Sequence, residues 1–309
     1  VLEPDRRRRA RLRRRVEHFL DRTPNLKRFL DRVFRRSLGL RREKRQPQLP
    51  PEKPKGWLGP EEDRLTPCRR FWQDPDEAIG HYYRWVWEYL AYLTLICGIT
   101  RTSRILEIGC HHGRTSRALL QFLRHPGEYR GFDVSAEQVA EATRIITPRA
   151  PNFQYRHVNV FNRHFNPEGT IQASEFVFPY SEAAFDCVYA ASVFPHLLPP
   201  EAENYFREIR RVLVPSGKAL LSFMILDFYR GPGTTISPLY EFDYPYDDRE
   251  GVAVKFPEQP ASIIAYARQV IKGYARGAGL RVVRIIPGLW SNNPGTPVNE
   301  QDLVLLSRA

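Results

Sequence analysis

Residues 105–113 read ILEIGCHHG. An apolar run suited to a buried strand carries one acid, Glu107, and is followed by two glycines four residues apart, Gly109 and Gly113. A histidine pair, His111 and His112, stands where such a loop more often has another glycine. A cofactor loop, a metal site and an ordinary turn are all open readings of these nine residues.

Spacing separates them. Dinucleotide folds use G-x-G-x-x-G to bring backbone against a pyrophosphate. Here Gly109 is followed by Cys110, His111, His112 and Gly113, so that spacing fails. An acid two residues before the first glycine also repels a pyrophosphate, but suits a ligand bearing an amine and a sulfonium. Metal ligands are spaced so that they converge. Cys110, His111 and His112 are consecutive and splay apart, so no metal site is expected.

Outward from this loop the pattern alternates. Strands are expected at 104–109, 128–133, 153–160, 185–191, 218–226, 280–286 and 302–308. Helices are expected at 114–123, 136–147 with Ser135 as cap, 201–213 and 262–278. Before them, HYYRWVWEYLAYLTLICG (81–98) reads as an aromatic helix covering one edge of the body and able to close over a pocket. Strands alternating with helices give a Rossmann-like α/β fold, with a seven-stranded, mostly parallel sheet and helices on both faces. Such sheets bind ligands outside the carboxyl ends of their strands. Asp133 ends the second strand, 20 residues after Gly113. A carboxylate there can take both hydroxyls of a ribose.

The stretch resembles the first motif of the class I S-adenosylmethionine-dependent methyltransferases, E/D-x-G-x-G-x-G, with His111 in place of the middle glycine. GFDVS resembles the second-strand acid motif, and HVNVFN the end of the third strand. FPYSEAAFDCVYAASVFPHL and NYFREIRRVLVPSGKALLSF resemble the fourth strand and the helix, turn and fifth strand. The resemblance covers residues 104–226. It implies S-adenosyl-L-methionine as cofactor, held by Glu107, Gly109, Cys110, His111, Gly113, Asp133, Val134, Asn159, Val160 and Ala191. It also implies methyl transfer to a small molecule or glycan at a hydroxyl oxygen. The final strands and the GLW…QDLVLLSR ending look like a bacterial branch that acts on sugars, glycolipids or small metabolites.

Methyl transfer from a sulfonium mainly needs alignment, and an alcohol also needs a base within reach. His196, Asp227 and Tyr229 are the candidates, with His164 in the insertion 161–180. The insertion 229–260 is rich in tyrosine and acids, which suits a hydroxylated acceptor or a loop packed on itself.

Charge divides the chain. Residues 1–46 hold 18 Lys/Arg and 6 Asp/Glu, and the remainder holds 29 of each. The body therefore has no global attraction for nucleic acid. Residues 4–39 read as two amphipathic helices with arginine-rich outer faces, and 47–67 as a linker with six prolines. The folded body is expected from 71. The basic arm suits a solvated face or a peripheral contact with anionic lipid. Four cysteines without paired spacing, and no secretory signal, suggest a cytoplasmic protein that also touches the inner membrane face. An RNA or protein methyltransferase hooked by the arm, a noncatalytic scaffold of the same fold and an NAD-dependent dehydrogenase are the competing readings.

Overall fold

The computed structural model describes residues 75–163, 165–293 and 299–309. The arm, the proline-rich linker and His164 lie outside the described residues.

Helix α1 (Pro75–Tyr92) runs into a π-helical turn, Leu93–Cys97, which stops at Gly98 in a left-handed conformation (φ 75°). There follow β1 (Arg104–Ile108), α2 (Ser116–Phe122), β2 (Glu128–Asp133), α3 (Ala136–Ile145), β3 (Phe153–His157), β4 (Phe185–Ala190), α4 (Pro199–Val212) and β5 (Leu213–Phe223). Next come three short strands, β6 (Tyr244–Pro245), β7 (Val252–Val254) and β8 (Ile264–Tyr266). Helix α5 (Arg268–Gly277) and the strands β9 (Leu280–Ile286) and β10 (Asp302–Arg308) close the chain.

The large sheet has the order β3-β2-β1-β4-β5-β10-β9. Strands β1 to β5 pair in parallel, and β10 runs antiparallel to both its neighbours. The expected seven-stranded, mostly parallel sheet is therefore present. Strand β1 is buried along nearly its whole length, as a central parallel strand must be. Its side chains alternate between two cores. Leu106 and Ile108 join Phe194, Phe206 and Ile209 under α4 and α5. Ile105 joins Tyr89, Leu119 and Val139 under α1, α2 and α3. Strand order reverses between β1 and β4, and that is where a ligand crevice opens.

The helix expected over 262–278 forms only from Arg268. The segment Ile264–Tyr266 instead pairs with β7 in a second, three-stranded antiparallel sheet. Tyr266 is fully buried there and its hydroxyl donates to the Leu197 carbonyl, a tertiary contact that overrides local helical periodicity. Ser135 sits at the start of α3 but its side chain makes no capping bond; Asp133 Oδ1 accepts the Ser135 N–H instead, at 2.9 Å.

Asp302 anchors the antiparallel strand. It is fully buried. Its carboxylate accepts Gly288 N–H at 2.6 Å, Ile225 N–H at 2.8 Å and Trp290 Nε1–H at 2.7 Å. Removing it strands three buried donors. Asp302→Ala should therefore lower the unfolding free energy by about 3 kcal/mol in a denaturant melt. A loss below about 1 kcal/mol would show that these donors find other partners.

Candidate active site

The loop after β1 turns through three left-handed residues at every second position, Gly109 (φ 74°), His111 (φ 52°) and Gly113 (φ 82°). Glycine suits such positions because it has no Cβ. A Cβ on Gly109 would lie 2.5 Å from Val193 Cγ2, so this glycine is required by space as well as by φ. Histidine is among the residues that tolerate the left-handed region, which is why His111 can occupy the middle position.

The loop is tied to the end of β2. Gly109 N–H and Cys110 N–H both donate to the Phe132 carbonyl, at 2.9 and 3.0 Å. His111 N–H donates to Asp133 Oδ2 at 2.7 Å. Burial raises the Asp133 pKa, while the amides of Ser135, His111 and Val134 pull it back.

Beside this clamp lies a cavity of about 270 Å³. Gly109, His111, Asp133, Val134, Val160 and Ala191 all line it, together with His196. Sequence reasoning missed other parts of the wall, among them Arg114 just after the loop, Phe161 and Asn162 after β3, Ser192 and Val193 after β4, and Gln138, Glu201 and Tyr205 on α3 and α4. For the residues after the loop, β3 and β4 the signal was proximity, since each is within three residues of a named candidate; Gln138, Glu201 and Tyr205 carried none.

Glu107, Cys110, Gly113 and Asn159 do not line the cavity. Glu107 is 2% exposed and points to the opposite core from Leu106 and Ile108. Its carboxylate accepts from Thr115 Oγ1, from Tyr129 Oη at 2.5 Å and from Tyr189 Oη at 2.7 Å. Tyr189 stands directly opposite Glu107 on β4, and Gly131 directly opposite on β2. A Cβ on Gly131 would come within 2.6 Å of Tyr129 Oη and of Cys110 Cβ, so that glycine makes room for the tyrosine hydroxyl. Cys110 is sealed in the same core, where burial pushes its thiol pKa up. Asn159 is turned to the 161–180 segment, donating to Thr170 Oγ1 at 3.0 Å and accepting from Asn166 Nδ2 at 3.3 Å.

Two of the three candidate bases also lie off the cavity. Asp227 accepts Arg268 N–H at 2.7 Å at the start of α5. The Tyr229 hydroxyl donates to Asp243 Oδ1 at 2.9 Å; desolvation and that carboxylate push its pKa up to about 12. In the surrounding insertion Lys255 bridges Glu241 and Asp243, while Tyr240 donates to Glu300 outside it. Among the described residues no cluster of His, Cys, Asp or Glu is placed to hold a metal ion.

Residues 106–219 match the family model described as a methyltransferase domain. By that match this part of the chain is a methyltransferase domain. An arsenite methyltransferase from Aquipseudomonas alcaligenes is 24% identical over 124 residues, which are 40% of this chain and 33% of the relative. The chain thus matches about a third of that relative's length. A solved protein from Pyrococcus horikoshii is 18% identical, covering 74% of this chain and 91% of its own, with a TM-score of 0.48. A TehB-like methyltransferase from Corynebacterium glutamicum is 15% identical, covering 76% of this chain and 100% of its own, with a TM-score of 0.45.

S-adenosyl-L-methionine is the cofactor of this family, and the cavity fits it. The Asp133 carboxylate lines it at the end of β2. Val134, Val160 and Phe161 form an apolar wall suited to a purine. His111 and Arg114 line the end nearest the glycine loop.

Burial pushes the Glu107 carboxyl up to about 7, against its three hydroxyl donors and the Arg114 charge. An acid whose folded pKa lies above its unfolded value of 4.5 binds protons more tightly when folded. Stability therefore falls as pH rises from about 4.5 to 7. Asp302, also pushed up to about 7 by burial, acts in the same direction. The drop in Tm between pH 5 and pH 7 should be smaller in Glu107→Gln than in wild type. An identical drop in both proteins would mean that Glu107 does not titrate in this window.

Proposed function

We propose that the chain is an S-adenosylmethionine-dependent methyltransferase acting on a small-molecule acceptor at a hydroxyl oxygen. One observation carries this reading. A single cavity gathers the glycine loop after β1, the acid ending β2 and the residues following β3 and β4. The cofactor supplies a methyl group already activated on a sulfonium. The protein aligns it with the acceptor and excludes water.

The cofactor contacts we assign are Gly109, His111, Asp133, Val134, Val160 and Ala191. Asp133→Ala should weaken S-adenosylhomocysteine binding by about 100-fold, the scale of lost charge-assisted bonds. Calorimetry measures it, with a thermal melt as the folding control. Failure of the wild-type chain to bind S-adenosylhomocysteine would remove the donor assignment altogether.

His196 is the residue we assign as proton acceptor. Its Nδ1 lies 3.4 Å from the Ala261 carbonyl. A carbonyl only accepts, so Nδ1 carries the proton and Nε2 the lone pair in the neutral ring. Phe165 packs edge-on against the imidazole, with centroids 6.0 Å apart, and both line the cavity. This small aromatic rim suits a compact acceptor. In the second insertion Tyr229 is engaged with Asp243, Tyr240 with Glu300, and Glu241 and Asp243 with Lys255. His196→Ala should slow methyl transfer from tritiated donor to an acceptor panel by about 10²-fold. Its S-adenosylhomocysteine affinity should be unchanged, and an unchanged transfer rate would remove His196 as the base.

No helix among the described residues is long and apolar enough to cross a membrane. We assign the basic arm, 1–46, to peripheral contact with anionic lipid. Deleting it should leave S-adenosylhomocysteine affinity intact and weaken sedimentation with anionic vesicles. Equal sedimentation of both chains would end this assignment.

A further inference from the structure

Past the end of β4 three polar side chains close a ring. Ser192 lines the cavity and stands in the left-handed region, at φ 58°. Residues with a side chain seldom adopt that conformation. In it the Ser192 N–H donates to Ser222 Oγ at 2.7 Å. Ser222 lies on β5 and Gln301 immediately precedes β10, and both are buried. The Ser222 hydroxyl donates to Gln301 Oε1 at 2.7 Å, and Gln301 Nε2–H donates to Ser192 Oγ at 2.8 Å.

The direction of the ring follows from its backbone member. A backbone N–H only donates, so Ser222 Oγ accepts from Ser192 and directs its own hydrogen to Gln301 Oε1. The same amide then presents Nε2, a donor, to Ser192 Oγ. The Ser192 oxygen therefore accepts within the ring. Its own hydrogen has no acceptor among the described residues. A hydroxyl held in this way at a cavity wall is a donor available to a molecule inside.

Ser192 and His196 share the short connection from β4 to α4, and both line the cavity. The turn between them is tight, with His196 N–H donating to the Val193 carbonyl at 2.9 Å. In the transfer the acceptor oxygen bonds to the methyl carbon as the S–C bond breaks, and its proton passes to His196. A hydrogen bond donated to that same oxygen would hold back the lone pair that attacks. A donor beside the base is suited instead to a second oxygen of the acceptor, next to the one that reacts. Phe165, 53% exposed and edge-on to His196, gives a planar ring an aromatic surface to pack on.

We propose that Ser192 selects the acceptor by donating to an oxygen on the carbon adjacent to the one bearing the reacting hydroxyl, and that Gln301 positions the Ser192 hydroxyl to do so. The acceptor is then a planar ring with two neighbouring oxygens. This inference rests on the methyltransferase reading above and narrows its acceptor. It also gives Gln301, outside the matched residues 106–219, a part in the site.

The test measures kcat/KM of the full chain for transfer from tritiated S-adenosyl-L-methionine to 2-methoxyphenol and to 4-methoxyphenol. The two isomers carry one hydroxyl each, and their ether oxygen can only accept. Wild type should favour 2-methoxyphenol by about tenfold, the scale of one hydrogen bond. Ser192→Gly removes the hydroxyl and suits the left-handed backbone, so it should fold and bring the ratio close to one. Gln301→Met should narrow the ratio in the otherwise wild-type chain and leave it unchanged in the Ser192→Gly background, a pattern that a merely structural role would not give. Should Gln301→Met fail to fold, Gln301→Asn, which keeps the amide on a shorter stem, takes its place with the same expectation. A wild-type ratio of one or below, a tenfold ratio retained in Ser192→Gly or in the Gln301 variants, or no transfer to either phenol by a chain that binds S-adenosylhomocysteine, would overturn the inference and leave the donor reading standing. Failure of the wild-type chain to bind S-adenosylhomocysteine would overturn both.

Discussion

Asp133 holds the site together. One of its oxygens takes the amide of His111 from the loop after β1, and the other takes the amide of Ser135 at the start of α3. A carboxylate bonded to backbone amides is stronger and more directional than a neutral pair. The contact fixes where the glycine loop ends relative to the tip of β2. The left-handed turns at Gly109, His111 and Gly113 are what allow the loop amides to reach it. The walls contributed by β3 and β4 are then set by the parallel register of the sheet.

Two carboxylates that look alike in the chain have opposite fates. Asp133 is at a strand end and lines the cavity. Glu107 is within a strand, where side chains alternate faces, and that alternation sends it into the core beneath α1 and α2. Three hydroxyls meet it there. Desolvation still outweighs them, and so the group is pushed toward neutrality. The cost of a buried charge is thus met partly by hydrogen bonding and partly by protonation. Tyr129 and Tyr189 are consequently part of the sheet's interior architecture rather than of the ligand site.

The two insertions behave differently for a similar reason. In the first, Asn159 ties down its own loop, while Phe161, Asn162 and Phe165 reach the cavity. In the second, the polar side chains find partners within the insertion and around Trp290, which is fully buried beside Met224 and Phe242. An acidic, tyrosine-rich stretch can satisfy itself as readily as it can bind a sugar. Only its position relative to the strand ends distinguishes the two.

The sequence by itself determined the alternation of strands and helices, the mostly parallel seven-stranded sheet and the loop and acid that frame the cavity. These follow from local periodicity and from glycine at positions of forced backbone geometry. It also placed His196 and Ala191 beside the fourth strand, where both line the cavity. The tertiary structure alone decided that Glu107, Asn159, Asp227 and Tyr229 lie off the lining, that Ile264–Tyr266 is a strand, and that Trp85 stands over Arg114. Each of those outcomes depends on which face a side chain takes and which distant partner meets it there. Pairings such as Glu107 with Tyr189, 82 residues apart, leave no trace in local pattern, because they exist only once the strands lie side by side.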